Sequence, residues 1–196
     1  MKTALDTQAL DQLFREAHTY SHFTDEAVSD DTIRDLYELL KWGPTSMNTQ
    51  PARYVFVRGA EAKEMLVPAM VASNAEKTKK APLTVIVGMD SEFYEHLPTQ
   101  FAAYDAKPMF AGNAALAEAT AFRNGTLQGA YLIMAARALG LDCGPMSGFD
   151  PAKVNAAFFP DGRTKANFLI NLGYGAANGH HPRGPRLPFE QVAKIV

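Results

Sequence analysis

Four short polar segments carry the side chains best suited to chemistry, at residues 43–51, 74–77, 144–149 and 182–188. The first combines hydroxyls and amides, which can hold the edge of a flat polar ligand through several directed hydrogen bonds. A turn that caps only its own backbone uses the same residue types. Segment 43–51 is therefore a candidate binding loop, with an ordinary turn as the alternative.

Two of these segments also place cations beside hydrogen-bonding groups. Asn74 and Lys77 are three residues apart, so a helix presents both on one face, where they can reach one ligand edge together. A solvated, lysine-rich helix end would look the same. Arg183 and Arg186 lie in a proline-stiffened stretch, where two guanidiniums can clamp a phosphate. An exposed tail is the alternative there.

The common catalytic motifs do not fit this sequence. Ser147 lies in Gly-Pro-Met-Ser-Gly, whereas a hydrolase nucleophile has glycines two residues to either side. His180–His181 comes without further ligands at metal-binding spacing. Gly173–Gly175 begins like a dinucleotide fingerprint, but Asn178 replaces its third glycine and no helix pattern follows. We therefore predict neither a side-chain nucleophile nor a metal site.

The composition is typical of a globular protein that binds small molecules. The chain has 196 residues, enough for one domain, and 47% of them are hydrophobic. A formal charge of −2 argues against nucleic acid or an anionic membrane as partner, because both require a concentrated basic surface. The polar N-terminus lacks the apolar core of a secretory signal. We expect a single domain, 1–196, located in the cytoplasm.

Helices and strands must position the four polar segments, and hydrophobic periodicity predicts where they lie. The second half of the longest helix is apolar nearly all round, so we expect this helix to be central and buried. The proline-rich tail from Ala176 is expected to be irregular. Helices outnumber strands, which predicts a layered α+β fold. Helices are predicted over about 10–17, 29–41, 60–70, 114–139 and from 151, strands over 53–58, 83–89 and 168–173, and a partly helical excursion over 91–113.

Taken together and in this order, the segments resemble the nitroreductase family of FMN-dependent oxidoreductases over nearly the whole chain. Within the family, the likeness is to the malonic semialdehyde reductase branch of pyrimidine degradation. Each motif is weak by itself, and their common register carries the resemblance. The motifs are Lys41–Ser46 with Asn48, Asp90–Glu95, Ala121–Asn124, Leu139–Asp142, Gly144–Asp150, Gly173–Gly175 and Pro185–Pro188.

The resemblance implies a three-layer α+β sandwich with a core of about 10–175 and a C-terminal tail, 176–196, that is swapped into the partner subunit. It implies a homodimer with FMN sites at the interface and NADPH or NADH as the electron donor. The expected reaction is ping-pong hydride transfer that reduces malonic semialdehyde to 3-hydroxypropanoate. A broad nitroaromatic or quinone reductase and a flavin-binding protein without turnover are the alternatives.

The resemblance also implies a flavin held by all four polar segments. The first segment would contact the flavin from one subunit, and the second would meet its pyrimidine edge. The backbone of the third would lie beside the reactive flavin nitrogen, and the tail would bind the phosphate. In that order, the residues are Pro44, Thr45, Ser46 and Asn48; Asn74 and Lys77; Pro145, Ser147 and Gly148; and Arg183 and Arg186.

Three further expectations follow from the resemblance. His18 stands where the family usually has an arginine at the FMN phosphate, so FMN affinity should rise as the pH falls, unless Arg15 compensates. Arg123 is a candidate partner for a substrate carboxylate, with an ordinary salt bridge as the alternative. The aromatic residues between 91 and 122 can cover the flavin or fill the core.

Overall fold

A computed structural model describes residues 3–196 of the chain; Met1 and Lys2, which belong to the expected domain 1–196, lie outside the described residues. The strands are β1 Ala52–Val57, β2 Leu83–Asp90, β3 Asp142–Met146 and β4 Thr164–Gly173. The α-helices are α1 Thr7–Leu10, α2 Asp30–Leu40, α3 Ala60–Leu66, α4 Ala72–Lys80, α5 Leu97–Gln100, α6 Lys107–Ala111, α7 Ala114–Ala138, α8 Pro151–Phe158 and α9 Phe189–Val192. A π-helix covers Asp11–Arg15, and 3-10 turns cover Ser46–Asn48, Val67–Ala69 and Phe93–His96.

Side-chain caps begin the helices where the sequence predicts them. The Ser29 hydroxyl accepts a hydrogen bond from the Thr32 amide at 3.0 Å and starts α2. Asp150 accepts from the first amides of α8, which opens on Pro151. Gly140 follows α7 with φ of 77°, a backbone conformation that favours glycine.

The four strands form one antiparallel sheet in the order β1-β2-β4-β3, with helices packed on both faces. Val85 and Val87 of β2 face one core cluster, which includes Leu132 of α7 and residues of α2. Ile86 points to the opposite cluster, with Leu66 of α3 and residues of α8. Alternate β2 side chains therefore enter two cores, as the continuous apolar run predicts. The predicted three-layer α+β architecture is confirmed.

Strand β3 was missed by the sequence analysis, which treats 144–149 as loop-forming. Pro145 lies inside β3 and pairs with Ile170. This is possible because β3 is at the edge of the sheet, where a missing backbone N–H leaves no neighbouring strand unpaired.

Several predicted helix ends also shift. The first helical segment consists of α1 and the π-helix that follows it, and it ends at Arg15 rather than Ala17. The helix predicted over 60–70 stops at Leu66 before Pro68. The otherwise irregular tail contains the short helix α9.

Helix α7 is central, but it is not buried all round. One side packs on the sheet, whereas Leu116, Phe122, Leu127 and Tyr131 are exposed. The expectation of full burial is therefore wrong for one side of the helix, because a single chain offers only one surface to cover it. No helix within residues 3–196 combines the length and apolarity needed to cross a membrane.

Candidate functional site

A polar cavity of about 610 Å³ brings together two of the four predicted segments, 74–77 and 182–188, with the candidate residue His18. His18, Lys77, Arg183 and Arg186 all line it, although they are far apart in sequence. Its remaining lining residues are Phe14, Ala17, Thr19, Ser21, Arg137, His181, Pro182 and Gly184. We call it the cationic cavity. Such a concentration of ammonium and guanidinium groups is suited to a phosphate dianion.

Backbone pairing along the edge of the sheet assembles this cavity. The Tyr20 amide donates to the Cys143 carbonyl of β3 at 2.9 Å, so the segment after α1 runs beside the strand. The Ser21 amide donates to the Gly179 carbonyl at 2.7 Å, which brings the tail to the same place. Arg183 then donates to the Ala17 carbonyl at 2.8 Å. The N-terminal segment is therefore held between β3 and the tail.

His18 lies in a cluster of titratable groups at this edge. Its ring stacks on His180 with centroids 3.9 Å apart. Desolvation by the surrounding groups lowers the pKa of His18, and the nearby His180 and Arg183 lower it further. Asp142 and a backbone hydrogen bond at His181 oppose this shift. Near neutral pH His18 therefore offers a neutral imidazole, and the arginines and Lys77 supply the positive charge.

Arg137 belongs to the cationic cavity, but the sequence analysis did not select it. It lies in the last turn of α7, where its guanidinium donates to the Leu13 carbonyl at 2.9 Å. The Arg137 carbonyl in turn accepts from the Gln12 side chain at 2.6 Å. One feature of the sequence could have selected Arg137: it is a charged residue in the largely apolar second half of α7. A charge in such a helix needs a specific partner.

Asn74 and Gly148 contact one another directly. The Asn74 amide donates to the Gly148 carbonyl at 3.0 Å, and the Val71 amide donates to the same oxygen at 3.1 Å. A Cβ on Gly148 would lie 2.7 Å from Asn74 Nδ2, so a larger residue there would displace the Asn74 side chain. The second and third predicted segments thus meet where α4 reaches the end of β3, with Pro145 and Ser147 exposed beside them.

The loop that carries Pro44, Thr45, Ser46 and Asn48 is anchored elsewhere. The Ser46 amide donates to Asn124 Oδ1 in the middle of α7 at 2.8 Å. The Thr45 hydroxyl accepts from the Gln50 amide at 3.2 Å, and Asn48 donates to the Gln100 carbonyl at 2.9 Å. Backbone φ is positive at Met47, Asn48 and Gln50. This turn is therefore held rigidly while Pro44, Ser46 and Asn48 remain exposed.

One chain does not bring this loop to the cationic cavity. Ser46 binds Asn124, whereas Arg137 lies 13 residues further along α7, about 20 Å along the helix axis. Pro44, Thr45, Ser46 and Asn48 do not line the cavity. The predicted site is thus split, with the cationic cavity and the binding loop as two separate parts, and the contact of Asn74 with Gly148 lies outside both.

The remaining candidates fall outside both parts. Arg123 lies on the exposed side of α7 in a shallow depression with Phe122, and it has no hydrogen bond or ion pair among the described residues. Phe93 and Phe110 are buried and pack edge to face at 5.0 Å, so these two aromatic residues fill the core. In residues 3–196 no three His, Cys, Asp or Glu side chains are arranged to hold a metal.

The model of the nitroreductase family matches residues 14–174. The chain belongs to this family. It is 57% identical over 193 residues to a Burkholderia lata protein named "Putative NADH dehydrogenase/NAD(P)H nitroreductase", covering 98% of this chain and 99% of the relative.

Solved structures show the same nitroreductase fold. A nitroreductase-like structure from Bacillus subtilis superposes with a TM-score of 0.85 at 22% identity, covering 97% of this chain and all of the other. A second, from Exiguobacterium sibiricum and in complex with FMN, has a TM-score of 0.83 at 19% identity, covering 100% of this chain and 99% of the other.

Proposed function

We propose that this nitroreductase-family chain is a cytoplasmic FMN-dependent oxidoreductase that takes electrons from NADPH or NADH. The observation that carries the proposal is the cationic cavity, where His18, Lys77, Arg183 and Arg186 converge. The donors that line the cavity fit a phosphate dianion. The structural relative in complex with FMN supports the same assignment. The sequence relative, whose name includes NAD(P)H nitroreductase, supports it as well.

Bound FMN would supply the hydride chemistry, and the chain would supply binding and electrostatics. Arg183, Arg186 and Arg137 would hold the phosphate, with an N–H from the neutral His18 ring. Lys77 would balance negative charge on the reduced ring. The backbone at Ser147–Gly148 and at Pro145 would orient the flavin, together with the Asn74 amide and the binding loop (Pro44, Thr45, Ser46 and Asn48).

We propose that the working unit is a homodimer, because one chain presents the two parts of the site separately. The exposed side of α7 carries Leu116, Phe122, Leu127 and Tyr131, and a second copy would cover them. The tail is exposed from residue 181 to the end and ends in apolar side chains. We place the boundary between core and tail near residue 175. Tail residues up to Arg186 would stay on the cationic cavity of their own chain, and the part beyond them would cross to the partner. The binding loop of one chain would then complete the cavity of the other.

For the acceptor, we propose malonic semialdehyde reduction to 3-hydroxypropanoate. Arg123 is an unpaired cation on the exposed side of α7, one residue from the Asn124 that anchors the binding loop. A short aldehyde acid needs such a partner for its carboxylate. Broad reduction of nitroaromatics or quinones is the second candidate, favoured by the name of the sequence relative.

The test starts with the visible spectrum of the purified protein after addition of FMN. Anaerobic NADPH or NADH should bleach the bound flavin, and an acceptor should restore its colour. Malonic semialdehyde, propanal, a nitroaromatic and a quinone are compared in parallel, in the wild type and in Arg123→Gln.

A selective rise in KM for the aldehyde acid in Arg123→Gln supports the carboxylate role, and equal turnover of all acceptors favours the broad reductase. Bleaching without recovery by any acceptor would indicate a flavin-binding protein without turnover. A colourless, monomeric protein indifferent to FMN contradicts the whole proposal.

A further inference from the structure

A second cavity, of about 680 Å³, lies apart from the cationic cavity and shares no lining residue with it. It is bounded by the loop before α2, by α3 and by the turn between α4 and β2. Its volume and mixed lining are typical of pockets that take small molecules. The apolar part of the wall consists of Ala27, Ala60, Val67, Pro68, Ala81 and Pro82.

Lys63 of α3 lines this cavity although its side chain is largely enclosed, with 8% of the residue exposed. Its ammonium donates to the Thr78 carbonyl at 2.7 Å and to the Thr84 hydroxyl at 2.6 Å. The Thr84 hydroxyl in turn donates a hydrogen bond to Asn171 Oδ1 at 2.7 Å. Two of the three ammonium protons are therefore bonded to neutral groups, and the third remains for a ligand.

The Lys63 ammonium has no counter-ion among the described residues. Burial lowers the pKa of Lys63 to about 8, and no charged neighbour offsets this effect. In the part of the chain that the structure describes, no other charged group around the cavity is an enclosed cation without an ion pair. Arg58 is already paired with Asp30 at 2.6 Å. Asp25, Glu64 and Lys79 are exposed. A buried charge without a counter-ion is costly, so an anion that reaches it would offset part of that cost.

The Lys63 ammonium lies beside the turn that forms one side of the cavity. Thr78 and Thr84, which bind it, flank the turn that contains Ala81 and Pro82, and these two residues line the cavity. A ligand in contact with this turn therefore borders the residues that bind the ammonium. The adjoining wall is apolar and would accept a hydrocarbon chain.

We propose that this cavity binds a small monocarboxylate with a short apolar chain, with its carboxylate on Lys63 and its chain along the alanine and proline wall. The charge of Lys63 complements the carboxylate, and the apolar wall excludes a fully polar anion such as inorganic phosphate. The site shares no lining residue with the cationic cavity, so its test does not depend on the proposed function.

The test is calorimetric titration with hexanoate just above pH 8, in buffers that differ in ionisation enthalpy. Because the carboxylate favours the charged lysine, binding should take up a proton from the buffer, which an arginine site would not do. Hexanol and hexanamide should bind about tenfold more weakly or worse, since they lack the charge. Equal binding of hexanol and hexanoate, or binding without proton uptake, overturns the proposal.

Two variants complete the test. Lys63→Met should lose hexanoate binding, whereas Lys79→Met, which removes an exposed lysine of the same cavity, should keep it. If Lys63→Met does not fold, Ala60→Phe fills the cavity from its exposed rim and should abolish binding and proton uptake together. Unchanged binding in the folded Lys63→Met or in Ala60→Phe contradicts the proposal.

Discussion

The cationic cavity and the binding loop are built in opposite ways. The cavity is held by backbone pairing at the edge of the sheet, through Tyr20, Cys143 and Gly179, and its side chains supply charge. The loop is held by an amide side chain, Asn124, and it supplies shape and neutral hydrogen-bonding groups. Charge that binds a phosphate tolerates some displacement, whereas contact with a planar ring requires a fixed backbone. The two parts should therefore fail differently when they are disturbed.

The strongest effect should come from a substitution that prevents dimerisation and so separates the cationic cavity of one chain from the binding loop of the other. Leu127→Glu places a charge in the middle of the exposed apolar side of α7, which should weaken a dimer about 100-fold or more because the charge would be buried without a partner. Sedimentation over a range of concentrations, with flavin content, measures this. Met65→Glu, at an exposed apolar position on α3, is the matched control. A variant that stays dimeric and retains flavin would contradict the proposed interface.

The next effect separates phosphate binding from ring binding. Arg183→Gln combined with Arg186→Gln should weaken FMN binding about 100-fold, because two charge-assisted contacts are lost. Riboflavin has no phosphate, so its affinity should change little. Quenching of flavin fluorescence gives both constants, with Arg34→Gln on α2 as a control for a lost surface arginine. Equal losses of affinity for FMN and riboflavin would show that these arginines do not bind the phosphate.

Disturbing the loop should have a smaller effect of a different kind. Asn124→Ala leaves the Ser46 amide without its partner, which should reduce the free energy of unfolding by about 2 kcal/mol. Riboflavin and FMN should then lose affinity equally, because the loop is assigned to the ring. Urea unfolding and flavin titration measure this against Thr126→Ala on the same helix. A loss confined to FMN would reverse the assignment of the two parts.

The smallest effect concerns the charge on His18. Its pKa is lowered in the chain, so the ring gains a proton only as the pH falls below about 6.5, and the added charge should then strengthen phosphate binding. The ratio of FMN affinities between wild type and His18→Gln should rise about threefold as the pH falls through that range. Taking the ratio removes the titration of the phosphate itself. A ratio that is flat with pH would show that the imidazole charge plays no part.

Local patterns in the sequence predicted most of the fold. The apolar run of β2, the Ser29 and Asp150 caps and the glycine after α7 each depend on neighbouring residues alone. Strand β3 was missed because Pro145 is acceptable only at a sheet edge, and the strand order is not visible in sequence.

The residue types of the candidate site are visible in the sequence, since phosphate-binding arginines and a hydroxyl-rich turn can be identified from side-chain chemistry. Which of these residues meet depends on how the whole chain folds. The fold joined Lys77, Arg137 and the tail to His18, left the binding loop about 20 Å away along α7, and exposed one side of that helix. The reason is that hydrogen bonds between distant segments, such as that of Tyr20 to Cys143, follow the path of the whole chain, which no local pattern encodes.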